Sequence, residues 1–120
     1  MYHFFCKSKI GNLTVTETQL YYEGSISIDQ DLLDKAGIFP GEKVEVLNIN
    51  NGSRIETYVI AAKRGSGKVC LNGPAARSAL VGDELIVLCY VLVDSKELKS
   101  MKMKVVKVDA KNRFKNTYLR

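Results

Sequence analysis

The stretch Tyr21-Tyr22-Glu23-Gly24-Ser25-Ile26-Ser27-Ile28-Asp29 sets a Gly-Ser pair between two runs that read as strand. Such a pair is either a hairpin turn or a place where the chain does chemistry on itself. Serine supplies a hydroxyl there, and glycine a carbonyl unshielded by any Cβ. Other polar residues are unusual for the strands that carry them. Lys9 stands just before an alternating run, Arg54, Thr57 and Tyr58 crowd one strand, and Asn72-Gly73 closes another. Singly, each has an ordinary structural explanation: a solvated Lys, a cross-strand Arg, a β-favouring Thr and Tyr, an Asn-Gly turn.

Familiar catalytic signals are absent. Arg64-Gly65-Ser66-Gly67 lacks the spacing of a phosphate-binding loop and reads as a tight turn. The single histidine, His3, lies where a frayed terminus is expected, which leaves no histidine-based triad. No His/Cys/Asp cluster has metal-ligand spacing, so no metal is expected. Asp29, Asp31 and Asp34 fall at the start of a short helical pattern and suit its dipole and solvent.

The 120 residues are enough for one domain, and 46% hydrophobic with 26% charged residues is ordinary globular composition. The longest apolar run, residues 85–93, is far short of a membrane helix and reads as a buried strand. The N-terminus lacks the apolar region of a secretory signal. Three widely spaced cysteines, Cys6, Cys70 and Cys89, fit a reduced, cytoplasmic setting in which each packs as a small hydrophobe. The net charge of +5 is uneven: residues 94–120 hold seven Lys and two Arg against three acids, +6, and residues 1–93 hold nine cations and ten acids, −1.

The elements that must position these residues are mostly strands. Residues 13–20 alternate, and 26–29 form a second short strand. Asp29 through Gly37 carries start and stop signals of a short helix. A Pro40-Gly41 turn leads into an alternating run, Asn50-Asn51-Gly52 marks a hairpin turn, and 54–62 is the returning strand. Residues 69–73 form another short strand, 74–80 a short helix beginning at Pro74, and 102–109 a Lys-rich edge strand. Residues 40–47 and 81–88 repeat weakly at an offset of 41, each after a short helix. A duplicated strand–helix–turn–strand unit suggests a small closed barrel with pseudo-twofold symmetry.

The segment from Lys7 to Ile38, followed by Asn48-Ile49-Asn50-Asn51-Gly52-Ser53-Arg54-Ile55-Glu56-Thr57-Tyr58, the Arg64–Gly67 turn and Leu71–Arg77, resembles the pyruvoyl-dependent aspartate decarboxylase family. The resemblance covers residues 7–90, and the Tyr-x-Gly-Ser, Asn-Gly-x-Arg, Thr-Tyr and Asn-Gly-x-Ala-Ala segments hold the family's spacing. It implies a mainly β fold, a small six-stranded double-psi β-barrel with short helices over residues 1–93, and a C-terminal extension over 94–120.

By the same resemblance the chain cuts itself at Gly24-Ser25 by an N→O acyl shift, with Thr57 supporting the step. The products are a β chain ending at Gly24 and an α chain starting at residue 25, whose serine becomes a covalent pyruvoyl cofactor. That group forms a Schiff base with the substrate amine, so L-aspartate is decarboxylated to β-alanine in pantothenate biosynthesis. Arg54 clamps one carboxylate and Lys9 supplies a second charge. Thr57, Asn72, Gly73, Pro74 and Ala75 hold the substrate, and Tyr58 protonates the carbanion. A homotetramer with sites between subunits is implied, and an accessory maturation protein is conceivable.

Two positions depart from the family: Gly11 replaces a common His, and Pro74 has no N–H to offer a carboxylate. A competing reading is a nucleic-acid-binding module on a related barrel, since residues 36–47 also resemble such domains, but a body of net −1 argues against it. A third is a relic that folds without cutting itself.

Overall fold

Apolar residues at every second position drive the chain into strands with one buried face, and the run at 85–93 becomes the middle of the sheet. The computed structural model describes residues 1–120 throughout. Nine strands follow in order: β1 Tyr2–Thr14, β2 Glu17–Gln19, β3 Ile26–Asp29, β4 Lys43–Asn48, β5 Arg54–Ala62, β6 Val69–Asn72, β7 Glu84–Asp94, β8 Lys104–Val108 and β9 Phe114–Leu119. Helix α1 (Gln30–Ala36), a 3-10 helix (Gly73–Ser78) and helix α2 (Ser95–Leu98) connect them.

The spatial order is β2-β6-β3-β5-β4-β7-β1-β8-β9. The sheet closes on itself, because β2, at one end of this order, continues β1. Val15 donates to the Asp83 carbonyl at 2.9 Å and Thr16 to the Val69 carbonyl at 2.9 Å, so the first strand passes from β7 to β6 without leaving the wall. Six strand positions thus close a barrel. The sheet counts nine strands rather than six because the first position is split in two and β8 and β9 are added outside it.

The weak repeat is a structural symmetry. Val46 of β4 lies opposite Val87 of β7, its counterpart at an offset of 41. Glu42 Oε1 accepts from Phe39 N at 2.8 Å, and Asp83 Oδ2 accepts from Leu80 N at 2.9 Å, forty-one residues on in both partners. Gly41 and Gly82 take left-handed φ of 93° and 96°, which glycine adopts without strain. They donate to Val59 and Val15 carbonyls at 2.8 Å each. Parallel pairing of β3 with β5 is matched by that of β2 with β6. Two such crossovers related by a pseudo-twofold axis make the double-psi barrel.

Ile10, Leu13, Ile26, Ile28, Val44, Val46, Val59, Leu71, Leu85 and Val87 fill the interior. Each contributes about 1.5–3 kcal/mol on burial. Helix α1 closes one end with Leu32, Leu33 and Ala36, capped by Asp29, which accepts from Asp31 N, and stopped by Gly37 at φ 69°.

Three expectations change. His3 is not frayed: it pairs with Val93 in β1, with Nε2 3.0 Å from Ser95 Oγ. The helix expected at 74–80 is a 3-10 helix from Gly73 to Ser78. The strand expected at the edge lies between β1 and β9, because the chain beyond it turns at Asn112 (φ 59°) and returns as β9. Val105 and Val106 of β8 are buried, and so is Asn112. The Asn112 amide accepts from Thr14 N and donates to the Thr14 and Gly67 carbonyls, all at 2.8–2.9 Å.

Candidate active site

Ser25 sits just before β3 and is fully buried, although Gly24 beside it reaches the surface of a pocket. Its φ is 104° and that of Gly24 is 136°. Glycine accepts such a backbone readily, but serine does not, and the strain is of order 1–3 kcal/mol. The surroundings hold it there. Asn72 N donates to the Ser25 carbonyl at 2.9 Å, and Asn72 Nδ2 donates to Ser25 Oγ at 2.9 Å and to Ser27 Oγ at 3.0 Å. Gly73 follows at φ 66° and packs directly against the Gly24 backbone.

The pocket beside Ser25 has a volume of about 470 Å³. Thr57 and Tyr58 of β5 line one wall, Pro74 and Ala75 of the 3-10 helix another, and Glu23, Gly24 and Ser25 the floor. Tyr58 is 43% exposed, so its hydroxyl can meet a ligand from solvent. One chain therefore gathers Gly24, Ser25, Thr57, Tyr58, Asn72, Gly73, Pro74 and Ala75 around one point. Asn72 carries no cap to the 3-10 helix and turns its amide on the serines instead.

Lys9 and Arg54 do not line this pocket. Arg54 begins β5, with Nη1 3.1 Å from Glu45 Oε1 on β4. Lys9 lies in β1 between Leu88 of β7 and Val105 of β8. Gly11 is buried, and a Cβ there would lie 3.6 Å from Lys107 Nζ, so the lysine stem occupies space next to it. Pro74 fits the first turn of its helix, where a missing N–H costs nothing.

Two further residues, Cys70 and Ser27, contact Asn72. Cys70 Sγ lies 3.2 Å from Asn72 Oδ1. Burial pushes the Cys70 thiol up to about 11, reinforced by the Glu17 carboxylate beside it, so the sulfur keeps its proton at neutral pH. The one signal in the sequence is that Cys70 and Asn72, two positions apart, share a face of β6.

The geometry suits attack by a serine hydroxyl on the preceding carbonyl. The nucleophile is fixed by an amide, the backbone is strained, and a pocket adjoins the bond. It also suits a small carbonyl cofactor made from Ser25: Gly73 leaves room for the Gly24 backbone that a Cβ would fill, meeting the Tyr22 carbonyl at 2.6 Å.

Several known proteins are similar to this chain. A relative from Chloroherpeton thalassium, named aspartate 1-decarboxylase, is 56% identical over 97% of this chain and 85% of its own. Another of that name, from Thermoanaerobacter pseudethanolicus, is 50% identical over 94% and 97%. The solved structure of the rationally designed mkDPBB_sym_86 protein superposes with a TM-score of 0.48 and 22% identity, covering 64% of this chain and 90% of that one. With the aspartate decarboxylase family model matching residues 1–115, the chain belongs to that family.

Proposed function

We propose that the chain cuts its own Gly24–Ser25 bond, turns Ser25 into a pyruvoyl group, and decarboxylates L-aspartate to β-alanine and CO₂. The observation that carries this is the buried, strained Ser25 whose Oγ is held by Asn72 at 2.9 Å beside the pocket of Thr57 and Tyr58.

In the cut, Ser25 Oγ attacks the Gly24 carbonyl carbon while its proton passes to the Ser25 nitrogen as the C–N bond breaks. The result is an ester. Loss of the Cα proton and of Gly24 carboxylate leaves dehydroalanine, and water displaces ammonia to give the pyruvoyl end. Because Asn72 donates to Oγ, the hydroxyl proton stays free to move. Thr57, on the pocket wall, supports the oxyanion. Strain at Ser25 is relieved once the bond breaks.

The pyruvoyl group supplies an electron sink for decarboxylation when bound covalently at Ser25. Tyr58 delivers a proton to the carbon that has lost CO₂. Asn72, Gly73, Pro74 and Ala75 shape the substrate pocket. Lys9 and Arg54 supply the positive charge for two carboxylates from a neighbouring subunit, since both lie outside the pocket of their own chain. A homotetramer fits this reading. The outer face of β1 and β7 exposes Phe4, Tyr90 and Leu92 around a pocket of about 440 Å³, an apolar surface suited to contact with another copy. No helix is long and apolar enough to cross a membrane, and three free thiols support a cytoplasmic setting.

Intact mass of purified protein tests the proposal. Two fragments, split after residue 24, are expected from the wild type, with one uncut chain from Ser25→Ala and no CO₂ release from L-aspartate. Aspartate turnover by uncut Ser25→Ala protein would refute the role of this serine.

A further inference from the structure

Cys70 and Asn72 point to one face of β6, because alternate residues in a strand share a side, and Ser25 and Ser27 both bring their hydroxyls to the Asn72 amide. The two segments run antiparallel, with Ser27 opposite Cys70 and Asn72 N bonded to the Ser25 carbonyl. Asn72 bonds to each of the other three side chains, and three of the four are buried.

An asparagine amide has one accepting and two donating sides, and nothing intrinsic decides which faces the nucleophile. Cys70 decides it here. Its S–H has three acceptors within reach: Asn72 Oδ1 at 3.2 Å, Glu17 Oε2 at 3.5 Å and the Leu71 carbonyl at 3.8 Å. The shortest fixes the amide oxygen toward β6. The NH₂ then faces Ser25 Oγ and Ser27 Oγ, one proton for each. Without the thiol donor, the amide can turn over and present its oxygen to Ser25, which would tie up the hydroxyl proton.

We infer that Cys70 and Ser27 are positioning residues for self-cleavage: Cys70 orients the Asn72 amide, and Ser27 takes its second proton so that the first stays on Ser25. This rests on the reading of Gly24–Ser25 as the bond that is cut. The thiol acts as a hydrogen-bond donor and never as a nucleophile.

The test follows the cut by intact mass over time in freshly folded wild type, Cys70→Ala, Cys70→Ser and Ser27→Ala proteins, with thermal unfolding of each as a control. Losing a hydrogen bond of this kind typically costs about 2–10-fold, so Cys70→Ala is expected to cut several-fold slower than wild type. Cys70→Ser, which restores a donor, should recover most of the rate, and Ser27→Ala should slow it by a smaller factor. Equal rates for wild type and Cys70→Ala, or equal slowing in Cys70→Ala and Cys70→Ser, overturn the role of the thiol. If Cys70→Ala does not fold, the Cys70→Ser and Ser27→Ala rates decide: a slow Cys70→Ser or an unaffected Ser27→Ala counts against the inference. A wild type that stays whole removes the reading underneath, a result distinct from any difference among the variants.

Discussion

Gly73 lies so close to Gly24 that a Cβ built on it would stand 2.7 Å from the Gly24 nitrogen and 2.9 Å from its Cα. The Gly24–Ser25 segment is thus shaped by a residue far along the chain. Gly73→Ala is expected to slow the cut by an order of magnitude or more while lowering stability. The left-handed φ alone costs an alanine roughly 1–2 kcal/mol, and the collision with backbone adds to it. Intact mass and thermal unfolding read the two effects separately. Unchanged cleavage would show that the loop tolerates being pushed.

Tyr58 should matter for turnover and not for cutting. Its ring lines the pocket but touches neither Ser25 nor Gly24 through any hydrogen bond. Tyr58→Phe is expected to yield fully cut protein with CO₂ release lowered by about 10²–10⁴, the usual worth of a proton donor. Failure to mature would move Tyr58 into the first reaction.

A site shared between subunits predicts complementation. Arg54 is held by Glu45 away from its own Ser25 pocket. Arg54→Ala and Tyr58→Phe proteins should each turn over aspartate poorly. Produced together in one cell so that mixed oligomers form, they should regain measurable activity, because some sites pair an intact pocket with an intact cation. Mixtures no better than the average of the two would argue for a site within one chain.

Asn112 offers a test of stability. Its amide fastens the β8–β9 turn to Thr14 and to Gly67, and all three of its bonds go to backbone. Asn112→Ala leaves those groups buried without partners, a penalty of about 1–3 kcal/mol for each unsatisfied group that water cannot reach. A drop of several degrees in Tm is expected, read by calorimetry.

Asp83 links stability to acid. Its carboxyl is held below the ordinary 3.8 by the hydrogen bond from Asn48 and then by the Leu80 N–H. A carboxyl lowered in the folded state stabilises the fold above its unfolded value, and the contribution disappears as pH falls through the lowered one. Wild-type Tm should therefore fall on the acid side of pH 3.8 more steeply than that of Asp83→Asn. Parallel curves would show that this turn does not govern acid stability.

Much of the fold could be read from the residues. Asp29 and Gly37 bound α1, and the alternation of Val44, Val46 and the 54–62 run gave a hairpin. The offset of 41 proved to be the barrel's own axis, since Val46 meets Val87. The extension could not be read this way. Lys104 and Lys107 made β8 look like an exposed edge, but β9 covers it, and that pairing depends on a left-handed turn at Asn112 that composition does not announce. Gly24, Ser25, Thr57 and Tyr58 stood out by type and spacing. Cys70 and Ser27 did not, because their importance comes from facing each other across β3 and β6, a register invisible along the chain.

The split first strand gives the proposed cut a kinetic consequence. Residues 1–24 contain β1 and β2, which close the barrel by pairing with β7 and β6 and bury Ile10, Leu13 and Val15. Before cleavage that segment is tethered, and folding is first order. After the proposed cut it is a separate peptide threaded through the wall, and recovery from unfolding requires two molecules to meet. The mature form should refold at a rate that depends on concentration, and the precursor at one that does not. Maturation then fixes a fold that the uncut chain can assemble and the cut chain largely cannot.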